Sequence, residues 1–168
     1  EGAFVWNQAQ FDAVDPAKTG HLFGLFERSH MQYETDRVAK DKGGEPSLAQ
    51  MATKAIDMLS RNPEGYVLLV EGGRVDHGSH AGNAFRTLSD AAALHEAVKT
   101  IVAKVDLNET LIVVTGDHSH TLTIAGYAKR GNPILGLSVN VDDTLAKGLD
   151  DKPYTTIGFA NGPGGSKA

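Results

Sequence analysis

The amino-acid sequence predicts an α/β fold, on three observations. Two short apolar runs, Tyr66–Val70 and Leu111–Val114, have the length and composition of buried strands. A long amphipathic segment from about Ala84 to Val105 lies between them, giving the strand–helix–strand order of a right-handed βαβ crossover. Each run empties into a short loop crowded with acidic residues and histidine, EGGRVDHGSHAG after the first and TGDHSH after the second.

The elements follow in order. Glu1–Val14 is aromatic-rich, with Phe4, Val5, Trp6 and Phe11, but shows no clean period. His21–Glu27 is short and apolar and reads as a buried strand. Arg28–Pro46 is polar, with Lys40, Asp41, Lys42, Gly43 and Gly44 expected to form a surface loop. A helix then starts at Ser47, a good N-cap after Pro46. Leu48, Met51, Ala52, Ala55, Ile56 and Leu59 fall on one of its faces, and it should end by Asn62-Pro63, because a residue before proline avoids helical backbone angles. Tyr66–Val70 is the first central strand. In the next helix Phe85, Leu88, Ala92, His95, Ala97, Val98, Ile101 and Val105 recur mostly at three- and four-residue steps. Asn108 and Glu109 make a turn into the second central strand, Leu111–Val114. Beyond His120 the pattern is irregular, with a strand expected at Ile134–Val139 and a flexible Gly-rich end, ANGPGGSKA. No internal repeat or domain boundary stands out, so residues 1–168 read as a single domain.

Composition bounds the chemistry. At 168 residues the chain is long enough to bury one core, and 40% hydrophobic with 22% charged residues reads as a soluble globular domain. A formal net charge of −5 argues against a nucleic-acid-binding face, which needs a Lys/Arg surplus. With no cysteine, any metal must be held by histidine and carboxylates. No apolar run approaches the roughly 20 residues that span a bilayer, and nothing resembles a signal peptide. The chain begins at Glu1 without Met, which suggests a processed protein or a piece of a longer one.

In open parallel sheets, functional groups collect beyond the carboxyl ends of the strands. Glu71 follows the first strand directly, with Asp76 and His80 five and nine residues further on; Asp117 and His118 follow the second. The crossover helix makes both strand ends point the same way, so five potential ligands are expected to converge. Nitrogen and oxygen donors from His and Asp suit zinc, and a lone Glu suits a harder ion such as magnesium. Taken singly, each has an ordinary explanation: Glu71 could pair with Arg74, Asp76 could cap a turn, and His80 could simply be solvated. Together, Asp-x-x-x-His and Asp-His after two apolar runs point to a metal site. His77 and His120, in the same loops, read as positioning groups that orient ligands rather than as ligands.

VEGGRVDHGSHAGN and TGDHSHTLT resemble the two metal-binding signatures of alkaline phosphatases. SHMQYETDR and KRGNPILG resemble neighbouring segments of bacterial members. The similarity runs from about His21 to the Gly-rich end, with the Glu, Asp, His and Asp-His positions in the family's order and spacing. It implies an alkaline-phosphatase-like, parallel-rich sheet with helices on both faces. It also implies hydrolysis of phosphate monoesters through a phosphoserine intermediate, using two zinc ions and one magnesium ion. Glu71 would then bind magnesium, Asp76 and His80 the first zinc, and Asp117 and His118 the second. A periplasmic or secreted location is implied in the same way.

The chain also departs from that pattern. The family's nucleophilic serine, an Asp shared by zinc and magnesium, a magnesium-binding Thr and a phosphate-binding Arg come before the matching region, and a further zinc-ligating His comes after it. Their motifs are absent here, and Ser79 and Ser119 lack the nucleophile's context. The chain therefore reads as a middle-to-C-terminal portion of an alkaline phosphatase catalytic domain. It is expected to form a homodimer or to pair with the rest of the protein. The alternatives are a related phosphodiesterase or sulfatase, or a non-catalytic metal-binding or structural fragment. Glu71 and the Asp-His-Ser-His form of the second loop favour the monoesterase.

Overall fold

The computed structural model describes residues 1–41 and 44–162. It confirms the α/β class, with a parallel strand pair and five helices among the described residues. The chain divides into two compact units, Glu1–Arg74 with Ser89–Thr115, and Val75–Leu88 with Gly116–Ala168.

The first unit opens with a strand, β1 (Gly2–Val5), and a helix, α1 (Gln8–Ala13), in the stretch that shows no period in sequence. Asn7 starts α1 by accepting a hydrogen bond from the Gln10 amide at 2.9 Å. β1 pairs in parallel with β2 (His21–Gly24), in the register Gly2↔His21 to Val5↔Gly24. The expected strand at His21–Glu27 is thus present, though shorter. It is not buried: Phe23 is 62% exposed and stacks on Phe4 of the neighbouring strand. The polar stretch after it holds a helix that sequence reading missed, α2 (Glu34–Lys40). This helix is started from outside itself, because the Asp90 carboxylate accepts from the Glu34 amide at 3.2 Å. The expected Lys40–Gly44 loop falls partly on residues 42–43, outside the described residues.

α3 (Leu48–Leu59) starts where the sequence predicts. The Ser47 hydroxyl accepts from the Gln50 amide, and the Gln50 side chain accepts from the Ser47 amide, a reciprocal capping box. Its inner face buries Ala52 and Ile56. Lys54 Nζ, on the same helix, donates to the Phe11 and Val14 carbonyls at the end of α1, where the helix dipole favours a cation. α5 (Ala84–Lys104) matches the expected long helix. Within the first unit Lys104 pairs with Asp57 of α3 at 2.7 Å, and Ala97 is fully buried. Gly72 approaches α5 so closely that a Cβ there would sit 3.3 Å from the Leu94 Cβ.

The two central strands are a correction. No β-ladder among the described residues includes Tyr66–Val70 or Leu111–Val114, so they are not the expected parallel neighbours. Side chains in the first run alternate between half-buried and exposed, and Val67 and Leu111 are almost fully exposed. Apolar composition reports that a segment suits a sheet interior. A strand exists only where a neighbour supplies the ladder hydrogen bonds, and composition carries no information about that neighbour.

The second unit begins with α4 (Arg74–His80), which continues from the end of the first unit, and includes the first turn of α5. Two three-residue strands, β3 (Leu122–Ile124) and β4 (Ile157–Phe159), pair antiparallel across a long excursion. The strand expected at Ile134–Val139 is present only as isolated bridges, Leu137↔Thr155 and Val139↔Leu145. Asn132 holds that excursion together: its Nδ2 donates to Leu137 O and Thr156 Oγ1, and its Oδ1 accepts from the Val139 amide. Of the Gly-rich end, residues 163–168 lie outside the described residues.

Candidate metal centre

The segment carrying Asp76 and His80 reads as a loop in sequence and is a helix in the structure. Asp76 sits in the first turn of α4 and His80 in the last, so the i, i+4 spacing stacks them on one face. The helix closes in a Schellman motif. The Gly82 amide bonds Ser79 O at 3.0 Å and the Asn83 amide bonds Gly78 O at 2.9 Å, with Gly82 at φ +61°. Asn83 then caps α5, its Oδ1 accepting from the Arg86 amide at 3.0 Å. The turn between the helices is tight because Gly78 lies directly against Thr87.

Around Asp76 the second unit gathers three histidines. His120 Nε2 lies 2.5 Å from Asp76 Oδ1, His80 Nε2 lies 3.5 Å from Oδ2, and His118 Nε2 lies 3.7 Å from Oδ1. The His80 and His118 rings each meet the His120 ring edge to face, at centroid distances of 4.7 and 5.2 Å. One donor atom each from Asp76, His118 and His120 falls within 4.8 Å of the others, close enough for one cation. Asp117 joins through His118, its Oδ2 3.5 Å from Nε2, and is otherwise turned to solvent. Hydrogen bonding from His120, with the charges of His80, His120 and His118 acting in the same direction, holds the Asp76 carboxyl below the usual carboxylate range.

The hydrogen bonds assign the imidazole protons. Ser119 O can only accept, so His118 Nδ1–H donates to it at 3.1 Å, and Nε2 is the ring nitrogen that faces the cluster. The Asp76 carboxylate likewise accepts from His120 Nε2–H, so His120 orients Asp76 from one side while Oδ2 stays toward His80. The donor set is nitrogen and carboxylate oxygen only, which fits a borderline ion such as zinc.

Four of the five expected ligands, Asp76, His80, Asp117 and His118, are therefore in one cluster. Glu71 belongs to the first unit, where it is exposed and its Oε1 folds back toward Gly73. His77 is half-buried on α4. His120, expected as a positioning group, is the nearest partner of Asp76 and the least exposed of the clustered rings. It is the second histidine of Asp-His-Ser-His.

A family model described as alkaline phosphatase matches residues 1–168. The tissue-nonspecific isozyme of alkaline phosphatase from Rattus norvegicus is 45% identical over 161 residues, covering 96% of this chain and 29% of that protein. An alkaline phosphatase from Gadus morhua is 42% identical over 170 residues, covering 98% of this chain and 33% of its own length. Among solved structures, Thermus thermophilus alkaline phosphatase superposes with a TM-score of 0.58 at 34% identity, over 63% of this chain and 22% of that one. The chain thus spans about three-tenths of the length of the curated relatives it matches.

Proposed function

The chain belongs to the alkaline phosphatase family, and from that premise we propose that its protein hydrolyses phosphate monoesters at a metal centre to which this chain contributes ligands. Asp76 and His80 would hold one zinc ion, Asp117 and His118 a second, and Glu71 a magnesium ion. The observation that supports this best is the convergence of Asp76, His80, His118 and His120 from two separate segments, with His118 turning Nε2 toward Asp76.

When bound, such cations supply Lewis-acid stabilisation of the attacking and leaving oxygens of phosphoryl transfer, the main requirement of that chemistry. The chain's own residues prepare for it. His120 fixes the plane of the Asp76 carboxylate by its short hydrogen bond, and the same bond keeps Asp76 ionised and ready to ligate. The Ser119 carbonyl holds the His118 ring in its ligating tautomer. The Ser79 hydroxyl is buried, donates to Val75 O at 3.0 Å and lies 3.4 Å from Thr87 Oγ1, so it is committed to holding α4 and is not the nucleophile. A phosphoserine intermediate, carried on a serine outside these 168 residues, fits both facts and the family.

The test is metal-dependent hydrolysis of p-nitrophenyl phosphate by the complete protein. Chelation should abolish turnover, zinc with magnesium should restore it, and Asp76→Asn or His118→Ala should prevent the restoration. Turnover indifferent to chelation and to both substitutions would remove the metal centre from the reaction. The same membership motivates a periplasmic or secreted location, which cell fractionation checks directly.

A further inference from the structure

We propose that Asn161 is a positioning residue for the metal centre, its carboxamide fastening the two ligand-bearing segments to one another. The inference rests on the metal reading above and adds a residue to it. Asn161 Nδ2 points at the carbonyls of Ser79 and His80, 3.4 Å from each, at the end of α4. Its Oδ1 accepts from the Thr121 hydroxyl at 2.5 Å, and Thr121 is the residue directly after His120. Both carbonyls can only accept, which fixes Nδ2 on their side and Oδ1 on the side of Thr121.

Each contact has a local cause. The last carbonyls of a helix lack intrahelical partners. In α4 the closing turn satisfies Gly78 O and Ser79 O, and Asn161 reaches the His80 carbonyl beyond them. Asn161 is delivered there by β4. The pairing Leu122↔Phe159 continues as a bond from the Ala160 amide to Thr121 O at 3.0 Å, which sets the following side chain beside Thr121. The residues so joined are neighbours of the site: His80 is itself a candidate ligand, and His120 orients Asp76. The two rings meet at 4.7 Å, a separation that the strap holds. Without it, the last turn of α4 and the His118–His120 segment would move independently, and the ligand geometry would loosen.

The experiment uses the complete protein and zinc alone as probe, with affinity read by competition against a chromophoric chelator. Cobalt substitution adds a ligand-field spectrum that reports coordination geometry rather than fold. Asn161→Ala and Thr121→Val should each weaken zinc binding about 10–100-fold, the range for groups that orient ligands. The double variant should be no weaker than the worse single one, because both remove the same strap. Thr121→Ser, which keeps the hydroxyl, should recover most of the affinity, and the cobalt spectrum of Asn161→Ala should shift. Wild-type zinc affinity and an unchanged cobalt spectrum in Asn161→Ala would overturn the proposal. Should that variant not fold, equal affinities for Thr121→Val and Thr121→Ser would overturn it instead. Asp76→Asn separates the two readings. If it abolishes zinc binding while Asn161→Ala keeps the wild-type affinity, only the strap fails; if neither matters, the metal centre fails as well.

Discussion

Gly78→Ala tests how tightly α4 is built against the start of α5. In a helix, alanine ordinarily gains about 1 kcal/mol over glycine, because the glycine backbone gives up more freedom on folding. Here a Cβ at position 78 would lie 2.8 Å from the Thr87 amide nitrogen, 2.8 Å from Thr87 Oγ1 and 3.1 Å from Thr87 Cα. Two of those atoms are backbone in the first turn of a helix and cannot step aside as a flexible side chain would. Overpacking typically costs about 1–3 kcal/mol, and a clash with backbone belongs at the upper end, so the net loss after the propensity gain is about 1–2 kcal/mol. For a chain of this size that lowers the melting temperature by roughly 2–8 °C. Thermal unfolding of the metal-free protein, followed by circular dichroism, reads the shift. Adding Thr87→Ala should recover only part of it, since the amide nitrogen and Cα remain in the way. A Gly78→Ala variant that melts at or above the wild-type temperature would show that propensity wins and that the two helices do not approach this closely.

Three further outcomes follow from other contacts. The Asp76 carboxyl titrates below its ordinary range, so its stabilising contribution is fully present above the unfolded-state value of about pH 3.9 and is lost as pH falls through the lower folded value. In metal-free protein, His120→Ala should move the Asp76 titration upward, as read by NMR; no movement would remove His120 as its cause. Ser47→Ala should destabilise by about 1 kcal/mol through loss of the α3 cap, lowering the melting temperature by roughly 2–4 °C. The 168-residue chain alone, supplied with zinc and magnesium, should hydrolyse p-nitrophenyl phosphate negligibly, because a positioned nucleophile can account for about 7–11 kcal/mol of barrier. Turnover abolished by Asp117→Ala would reveal a nucleophile within the chain.

What could be read from sequence was what local chemistry determines. α3 announces itself through Ser47 and Gln50, whose side chains and backbone satisfy one another within four residues. α5 does so through its three- and four-residue apolar rhythm. The candidate ligands were legible as residue types in two loops, and four of them meet in one cluster. The helical state of α4 was hidden by Gly78 and its short polar composition, although the Asp76–His80 interval held the signal. α2 was invisible because its first amide is satisfied by Asp90, 56 residues away. β3 and β4 are three residues each and meet only after a separation of more than 30 residues, so neither carries a pattern of its own. For Tyr66–Val70 and Leu111–Val114 the apolar character was read correctly and the pairing was not, since pairing is a property of two segments.

Those two runs have a kinetic consequence. Val67, Leu69, Leu111 and Val113 present apolar side chains to water beside backbone groups that no ladder among the described residues occupies, the arrangement that recruits foreign strands. During refolding, folding of a single chain proceeds at a rate independent of concentration, while capture by another molecule rises with it. Recovery is therefore a race whose outcome dilution decides, and charged substitutions at Val67 or Leu111 would slow the losing branch without touching the ligand cluster.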